Sequence, residues 1–177
     1  MDIKSELMNE NEKRIKELTL RLSNKNTNYV VEAISGLRSQ RFFEGVIRLI
    51  VEMYNNSDNT SIREAIKLFM NDLKETALKA EVVNELRKDY KSDTLEMVAS
   101  SCWQSGLDYS EYAADFARLF ARCEYMVALE CFTVLEESAN SIPETTRKSI
   151  IKIIKEGNYQ NQEGKSALKT ELFKILG

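Results

Sequence analysis

Four stretches of the chain share one apolar spacing, and this repetition limits what the chain can fold into more than any other feature. Val30-Ala33-Ile34-Leu37, Ile62-Ala65-Ile66-Phe69, Leu95-Val98-Ala99-Cys102 and Tyr125-Ala128-Leu129-Phe132 each place apolar groups at relative positions −3, 0, +1 and +4, a spacing that shares one face of an α-helix. The zero positions, 33, 65, 98 and 128, are separated by 32, 33 and 30 residues. A second helical stripe follows each of them: Phe43, Val46, Ile47 and Ile50; Ala80, Val83 and Leu86; Tyr112, Phe116, Leu119 and Phe120; Ile150, Ile151 and Ile154. Two helices per repeat make a helical hairpin. One hairpin cannot bury its apolar face alone, so neighbours must stack into a continuous core.

The rest of the chain agrees. One Pro and six Gly in 177 residues leave few breaks for long helices. Ser61 with Glu64, Asp93 with Glu96, Asp108 with Glu111 and Ser141 with Glu144 have capping-box spacing. Pro143 falls just inside the last of these, where its missing N–H costs nothing, and Gly106 and Gly157 suit left-handed helix ends. Residues 2–22 form a sparse amphipathic helix around Ile3, Leu7, Ile15, Leu18 and Leu22, ended by the polar turn at 23–27. A closing helix, Lys165 to Leu176, carries Leu168, Leu172 and Leu176. The expected protein is all-α, a single domain over 1–177 with about ten helices. Residues 1–26 form an N-terminal capping helix, 27–157 four antiparallel hairpins, and 158–177 a C-terminal capping helix.

Over about residues 27–157 this pattern resembles the HEAT family of α-helical repeats, including HEAT-like modules of small bacterial proteins. The resemblance implies a right-handed α-α superhelix with an inner row of second helices open to partners.

The chemistry available is narrow. The chain has no His, which excludes Ser-His-Asp and Cys-His nucleophiles, the H-E-x-x-H zinc site and helical di-iron sites built on Glu-x-x-His. Neither G-x-x-x-x-G-K-[ST] nor G-x-G-x-x-G occurs. Cys102, Cys123 and Cys131 lack C-x-x-C spacing and read as buried reduced thiols. Asp108, Glu111 and Asp115 gather at a helix start, where carboxylates oppose the helix dipole. We therefore expect no catalytic residues, no metal and no cofactor.

The amino-terminal sequence lacks the apolar core of a secretory signal, and no apolar run approaches the ~20 residues of a membrane span. The expected location is the cytoplasm. The net charge of −3 conceals a polarised carboxyl-terminal half: residues 92–139 carry nine acids against two bases, and 143–177 seven bases against four acids. Candidate partner-binding groups on the second-helix row are Arg48, Arg87, Asp115, Arg118, Arg122, Arg147 and Lys148, of which Arg118, Arg122, Arg147 and Lys148 could form a local basic spot. Trp103, the one tryptophan, reads either as a cover over the core's end or as an interface anchor.

The favoured function is a non-catalytic scaffold that binds a protein or peptide through the inner helix row. The alternative is nucleic-acid binding, since the resemblance extends to HEAT-like proteins that cradle DNA, among them glycosylases acting on alkylated bases. A sequence pI near 5.3 opposes it, because phosphate binding needs a basic stripe. Self-association through the first helix or the ends of the row stays open.

Overall fold

Two kinds of connection alternate along the chain, and this alternation sets how the helices pair. The computed structural model describes residues 3–157, 159 and 162–177, the side chains of 3–9 and of Glu163 excepted. The side chains of Ile3 and Leu7 of the expected first stripe, and positions 158, 160 and 161 of the expected closing segment, thus lie outside what is described. The helices are α1 (Ile3–Leu22), α2 (Thr27–Gly36), α3 (Val46–Asn56), α4 (Thr60–Asn71), α5 (Lys79–Leu86), α6 (Ser92–Gln104), α7 (Ala113–Arg122), α8 (Tyr125–Ser138), α9 (Glu144–Glu156) and α10 (Glu163–Leu176). The described residues include no strand, and no helix among them is long and apolar enough to cross a membrane.

Plain turns at 23–26, 57–59, 87–91 and 123–124 alternate with connections holding a one-turn 3₁₀ segment at Leu37–Ser39, Thr76–Leu78, Ser110–Tyr112 and Ala139–Ser141. Among chain neighbours the closest packing follows the plain turns, pairing α1 with α2, α3 with α4, α5 with α6 and α7 with α8; α9 packs on α10 likewise. The hairpins therefore begin one helix earlier than the 27–157 grouping places them. Position 33 and its equivalents fall in the second helix of each hairpin. The helices form two compact units, residues 1–73 and 74–177, whose boundary falls in the connection between α4 and α5.

In the first unit α2 packs along α4; Val30, Ala33 and Ile34 of α2, Leu37 just after it, and Ile62, Ala65, Ile66 and Phe69 of α4 are all buried. Burying one such side chain contributes about 1.5–3 kcal/mol. Polar ties align the helix ends. Asn26 caps α2 by accepting from the amides of Asn28 and Tyr29; Asn59 caps α4 by accepting from that of Ile62. The Asn59 amide also donates to Thr27 Oγ1 at 3.2 Å. At the other end Arg38 donates to the Leu68 carbonyl at 3.3 Å and pairs with Asp72. Arg63 lies over the Tyr54 ring and donates to the last carbonyls of α3.

The second unit has two helix layers, α6-α8-α10 and α5-α7-α9. The fourth repeat is displaced from its expected register. Tyr125 is exposed and Leu129 and Phe132 are half-buried, whereas Ala128, Cys131 and Leu135 are fully buried. The residue equivalent to Ala33, Ala65 and Val98 is thus Cys131, 33 residues after Val98, and each of the four is the sixth or seventh residue of its helix. The reason is that α8 packs against α6, α7 and α10 at once, so apolar residues surround most of it and its sequence does not single out one face. At α5 the buried residues are Val82, Val83, Glu85 and Leu86, and Ala80 is exposed.

Several expected caps also differ. Asn59 replaces Ser61, which lies inside α4. Asp93 lies inside α6, after Lys91 at the N-cap. Asp108 accepts the Ser110 amide at 2.8 Å, forming a turn ahead of α7 instead of a helix cap. Pro143 is the N-cap of α9 and not its first helical residue. Gly106 has the left-handed conformation expected of a helix end (φ +69°). Gly157 does not (φ −67°); its lack of a side chain matters because Tyr159 folds over it and donates to the Ile154 carbonyl at 2.7 Å.

The closing helix is attached through a charge. Lys165, 1 % exposed, donates to the carbonyls of Ala121 (3.1 Å) and Cys123 (2.5 Å) at the carboxyl end of α7. Its ammonium also sits 5.2 Å from the Tyr159 ring centre and 5.8 Å from that of Phe120. Carbonyls at a helix end carry partial negative charge, so they suit a buried cation that lacks a carboxylate. Burial nevertheless lowers the pKa of Lys165.

Gly45 is left-handed (φ +89°), and a Cβ there would meet Ile15 Cδ1 at 2.7 Å, whereas a Cβ on Gly106 would meet nothing within 4 Å. Gly106→Ala should therefore lower stability by about 1 kcal/mol, and Gly45→Ala, where the end of the Ile15 side chain must also shift, by somewhat more. Urea unfolding followed by circular dichroism checks the order; equal losses would contradict it. A second prediction concerns alkali. Burial raises the thiols of Cys102 (to about 12), Cys123 and Cys131, and the phenols of Tyr109 and Tyr159 (the latter to about 12). Above about pH 9 the unfolded chain releases these protons while the folded chain keeps them, so stability falls as pH rises. Lys165, with its lowered pKa, acts in the opposite sense near its ordinary value of 10.5, one group against five. The urea midpoint should drop between pH 8.5 and pH 10.5; an unchanged midpoint would refute the burial of these groups.

Candidate partner-binding site

Helix α7 is sharply two-sided. Ala113, Phe116, Ala117, Leu119 and Phe120 are buried, and the intervening Asp115, Arg118 and Arg122 face outward beside α5. There the two helices are joined by charge. Arg87, the C-cap of α5, grips Asp115 with two parallel hydrogen bonds, Nε to Oδ1 and Nη2 to Oδ2, each 3.0 Å. Its remaining Nη1 donates to Asn84 Oδ1 at 2.9 Å. Arg118, one turn along α7, donates to the same carboxylate at 3.3 Å. Hydrogen bonding to Asp115, with the attraction between the charges, raises the Arg87 pKa. The carboxylate side chain is 15 % exposed, and the two guanidinium side chains above it are 53 % and 61 % exposed. The arrangement is a fixed anion flanked by two cations presented to solvent, with fork geometry that a lysine could not reproduce.

The face continues in both directions. Arg122 donates to the Leu86 carbonyl at 3.0 Å, capping α5. Towards the helix starts, Lys79 donates to the Asp108 carbonyl at 2.7 Å and pairs with Glu111. Its ammonium is 5.9 Å from the ring centres of both Tyr109 and Tyr112. The three carboxylates gathered at this helix start all meet protein partners: Lys79 at Glu111, Arg87 and Arg118 at Asp115, and the Ser110 amide at Asp108. No cluster suited to a metal ion occurs among the described residues.

Of the residues singled out in the sequence, Arg87, Asp115 and Arg118 come together, and Arg122 joins the same pair of helices. Arg147 serves a different purpose, donating to the carbonyls of Ile142 (3.0 Å) and Ala139 (2.7 Å) and so closing the turn into α9. Lys148 pairs with Glu144 one turn away at 2.7 Å, both largely exposed. The expected basic spot is therefore not a bare patch, because all four of its cations have partners of their own. Arg48 belongs to the first unit, on α3, lining a groove with Glu12, Lys16 and Glu44. Trp103 lies on the other layer. It is half-buried, and its Nε1 donates to Glu130 Oε2 on α8 at 2.6 Å. Tyr109 is core, Tyr112 half-buried and Tyr125 exposed.

Sequence reasoning missed Asn84 as a member of the site and read Glu111 only as a carboxylate at a helix start. A signal was present: Lys79 and Glu111 are 32 residues apart and Arg87 and Asp115 are 28, close to the repeat length, so opposite charges one repeat apart face each other.

Removing the central carboxylate leaves two arginines opposed. Because both guanidiniums are solvent-screened, the expected cost of Asp115→Asn is modest, about 1 kcal/mol. A double-mutant cycle with Arg87→Gln should show a coupling of about 0.5–1 kcal/mol, and zero coupling would mean that the pair does not hold in solution.

No protein-family model, curated protein or solved structure matches this chain, so the site is defined by its own geometry.

Proposed function

We propose that this protein is a non-catalytic scaffold of HEAT-like hairpins that binds a protein or peptide through the α5–α7 face. The observation that carries the reading is the pair Arg87 and Arg118 held on one carboxylate. Arginine is enriched among the residues that dominate binding energy at interfaces, and a side chain already ordered by its neighbours loses less entropy when a partner arrives. Tyr112, near Lys79 on the same face, adds an aromatic contact of the kind such interfaces favour. Three free thiols, two of them buried, suit a reducing compartment, and a cytoplasmic location is part of the proposal. Nothing on this face favours the nucleic-acid alternative, since Arg87 and Arg118 are already shared with Asp115 and the chain is acidic overall.

The test is affinity capture from native lysate with the unmodified protein and with Arg118→Glu, whose exposed side chain can change sign without disturbing the core. A protein retained by the unmodified chain and lost at least tenfold by the variant is the expected outcome. Equal retention by both would remove the site from this face. Capture of nucleic acid that nuclease treatment abolishes would overturn the scaffold reading itself.

A further inference from the structure

We infer that the second unit binds a small neutral polyhydroxy molecule, a single sugar ring, in a cleft between the carboxyl-terminal ends of α6 and α8. The cleft has a volume of about 210 Å³. Drug-sized sites begin near ~300 Å³, so its occupant is small. Three buried residues, Cys102, Val134 and Ser138, make the floor. Two of them are accounted for: Val134 is apolar, and the Cys102 thiol donates to the Val98 carbonyl at 3.3 Å.

Ser138 is not. It is 8 % exposed, and its hydroxyl has no hydrogen-bond partner among the described residues. The two buried serines of the α6 end are both used, Ser101 donating to the Val98 carbonyl at 2.7 Å and Ser105 to the Cys102 carbonyl at 2.9 Å. Every side-chain oxygen sealed from solvent has a partner among the described residues, so the Ser138 hydroxyl opens on the cleft that it lines. Leaving a hydroxyl unbonded at such a depth costs stability, and alanine would continue the helix there without that cost. A ligand that bonds the hydroxyl removes it.

The rim decides the chemistry of that ligand. Glu137 is exposed and makes no hydrogen bond or ion pair among the described residues, and Asp108 accepts the Ser110 amide with one carboxylate oxygen. Two cations stand close by: Lys74 donates to the Ser105 carbonyl at 2.5 Å, and Arg147 to the carbonyls of Ala139 and Ile142. Two carboxylates against two cations leave the neighbourhood near neutral, so charge does not select the occupant. Hydrogen bonding does. Carboxylates only accept, and a serine hydroxyl donates and accepts, so the matching ligand brings several O–H donors and no charge to strip of water. The walls, Trp103 and Leu107, are half-buried and suit the C–H surface of a sugar ring. The indole is already positioned by its N–H bond to Glu130, so little ordering is left for binding to accomplish. The cleft shares no residue with the cluster of Arg87, Asp115 and Arg118, and the inference stands if the α5–α7 reading fails.

Trp103 is the only tryptophan, so its emission reports this wall. The probes are D-glucose, D-galactose, D-mannose and D-ribose, titrated singly into the intact protein, with tetramethylammonium chloride and sodium acetate as charged controls. The expected result is a saturable change in emission with at least one sugar and with neither salt. A ligand of about twelve heavy atoms sets the Kd on the order of 1 mM. Ser138→Ala and Glu137→Gln should each weaken it about fivefold, the share of one hydrogen bond, and Arg118→Glu should leave it unchanged. Without sugar, Ser138→Ala should keep or raise the urea midpoint; a lower midpoint would mean that the hydroxyl bonds within the protein and would overturn the inference. It is overturned equally if no sugar saturates well above that Kd, if Ser138→Ala binds as the unmodified chain does, or if tetramethylammonium gives the saturable change, which would make the site one for cations.

Discussion

The close approach of helices through a small or compact residue at the centre of each stripe is the contact on which everything else rests. Ala33, Ala65, Val98 and Cys131 are 0 %, 8 %, 0 % and 0 % exposed. Each stands at the sixth or seventh residue of a helix that packs on a like helix within its own unit: α2 on α4, and α6 on α8. With larger groups at these positions the flanking Ile, Leu and Phe side chains could not interlock, because cores are packed as densely as crystals and adding even one methylene displaces neighbours. The polar surface is organised on the frame that this packing sets.

Within each unit that frame repeats its ties. Arg38 reaches the Leu68 carbonyl, Lys74 the Ser105 carbonyl and Arg122 the Leu86 carbonyl, each joining residues one repeat apart. Slightly shorter separations, 28 and 27 residues, bring Arg87 to Asp115 and Trp103 to Glu130. Long cationic side chains close the ends of neighbouring helices, where carbonyls have no partner within the helix. Lys165 is the extreme case, a lysine almost fully buried against two such carbonyls. A single kind of interaction thus serves both architecture and surface, and it leaves Arg87 and Arg118 as the guanidiniums of α5 and α7 that project over a carboxylate rather than over backbone.

The helices of the second unit differ in charge: α7 and α9 hold cations beside acids, α6 and α8 hold only acids, and α10, in the same layer as these two, carries Lys165, Lys169 and Lys174. Apart from the buried Lys165, this difference lies in the residues that reach the surface.

The all-α class, the number of helices and the repeat length follow from the sequence alone, because they depend on local spacing: apolar groups at three and four residues, few breakers, and asparagines between the stripes. The phase of the hairpins does not, since a period says nothing about which connection is tight, and the plain turns after α1, α3, α5 and α7 decide it. The register of α8 was not legible either, because a helix packed on three sides has no single apolar face to read. Asp115 and Arg118 could be seen as neighbours on one helix, but their meeting with Arg87, the contact of Trp103 with Glu130 and the burial of Lys165 join residues 27 to 44 apart. Such contacts depend on how one helix lies along the next, a relation fixed by interlocking side chains across the layer and only in the folded chain.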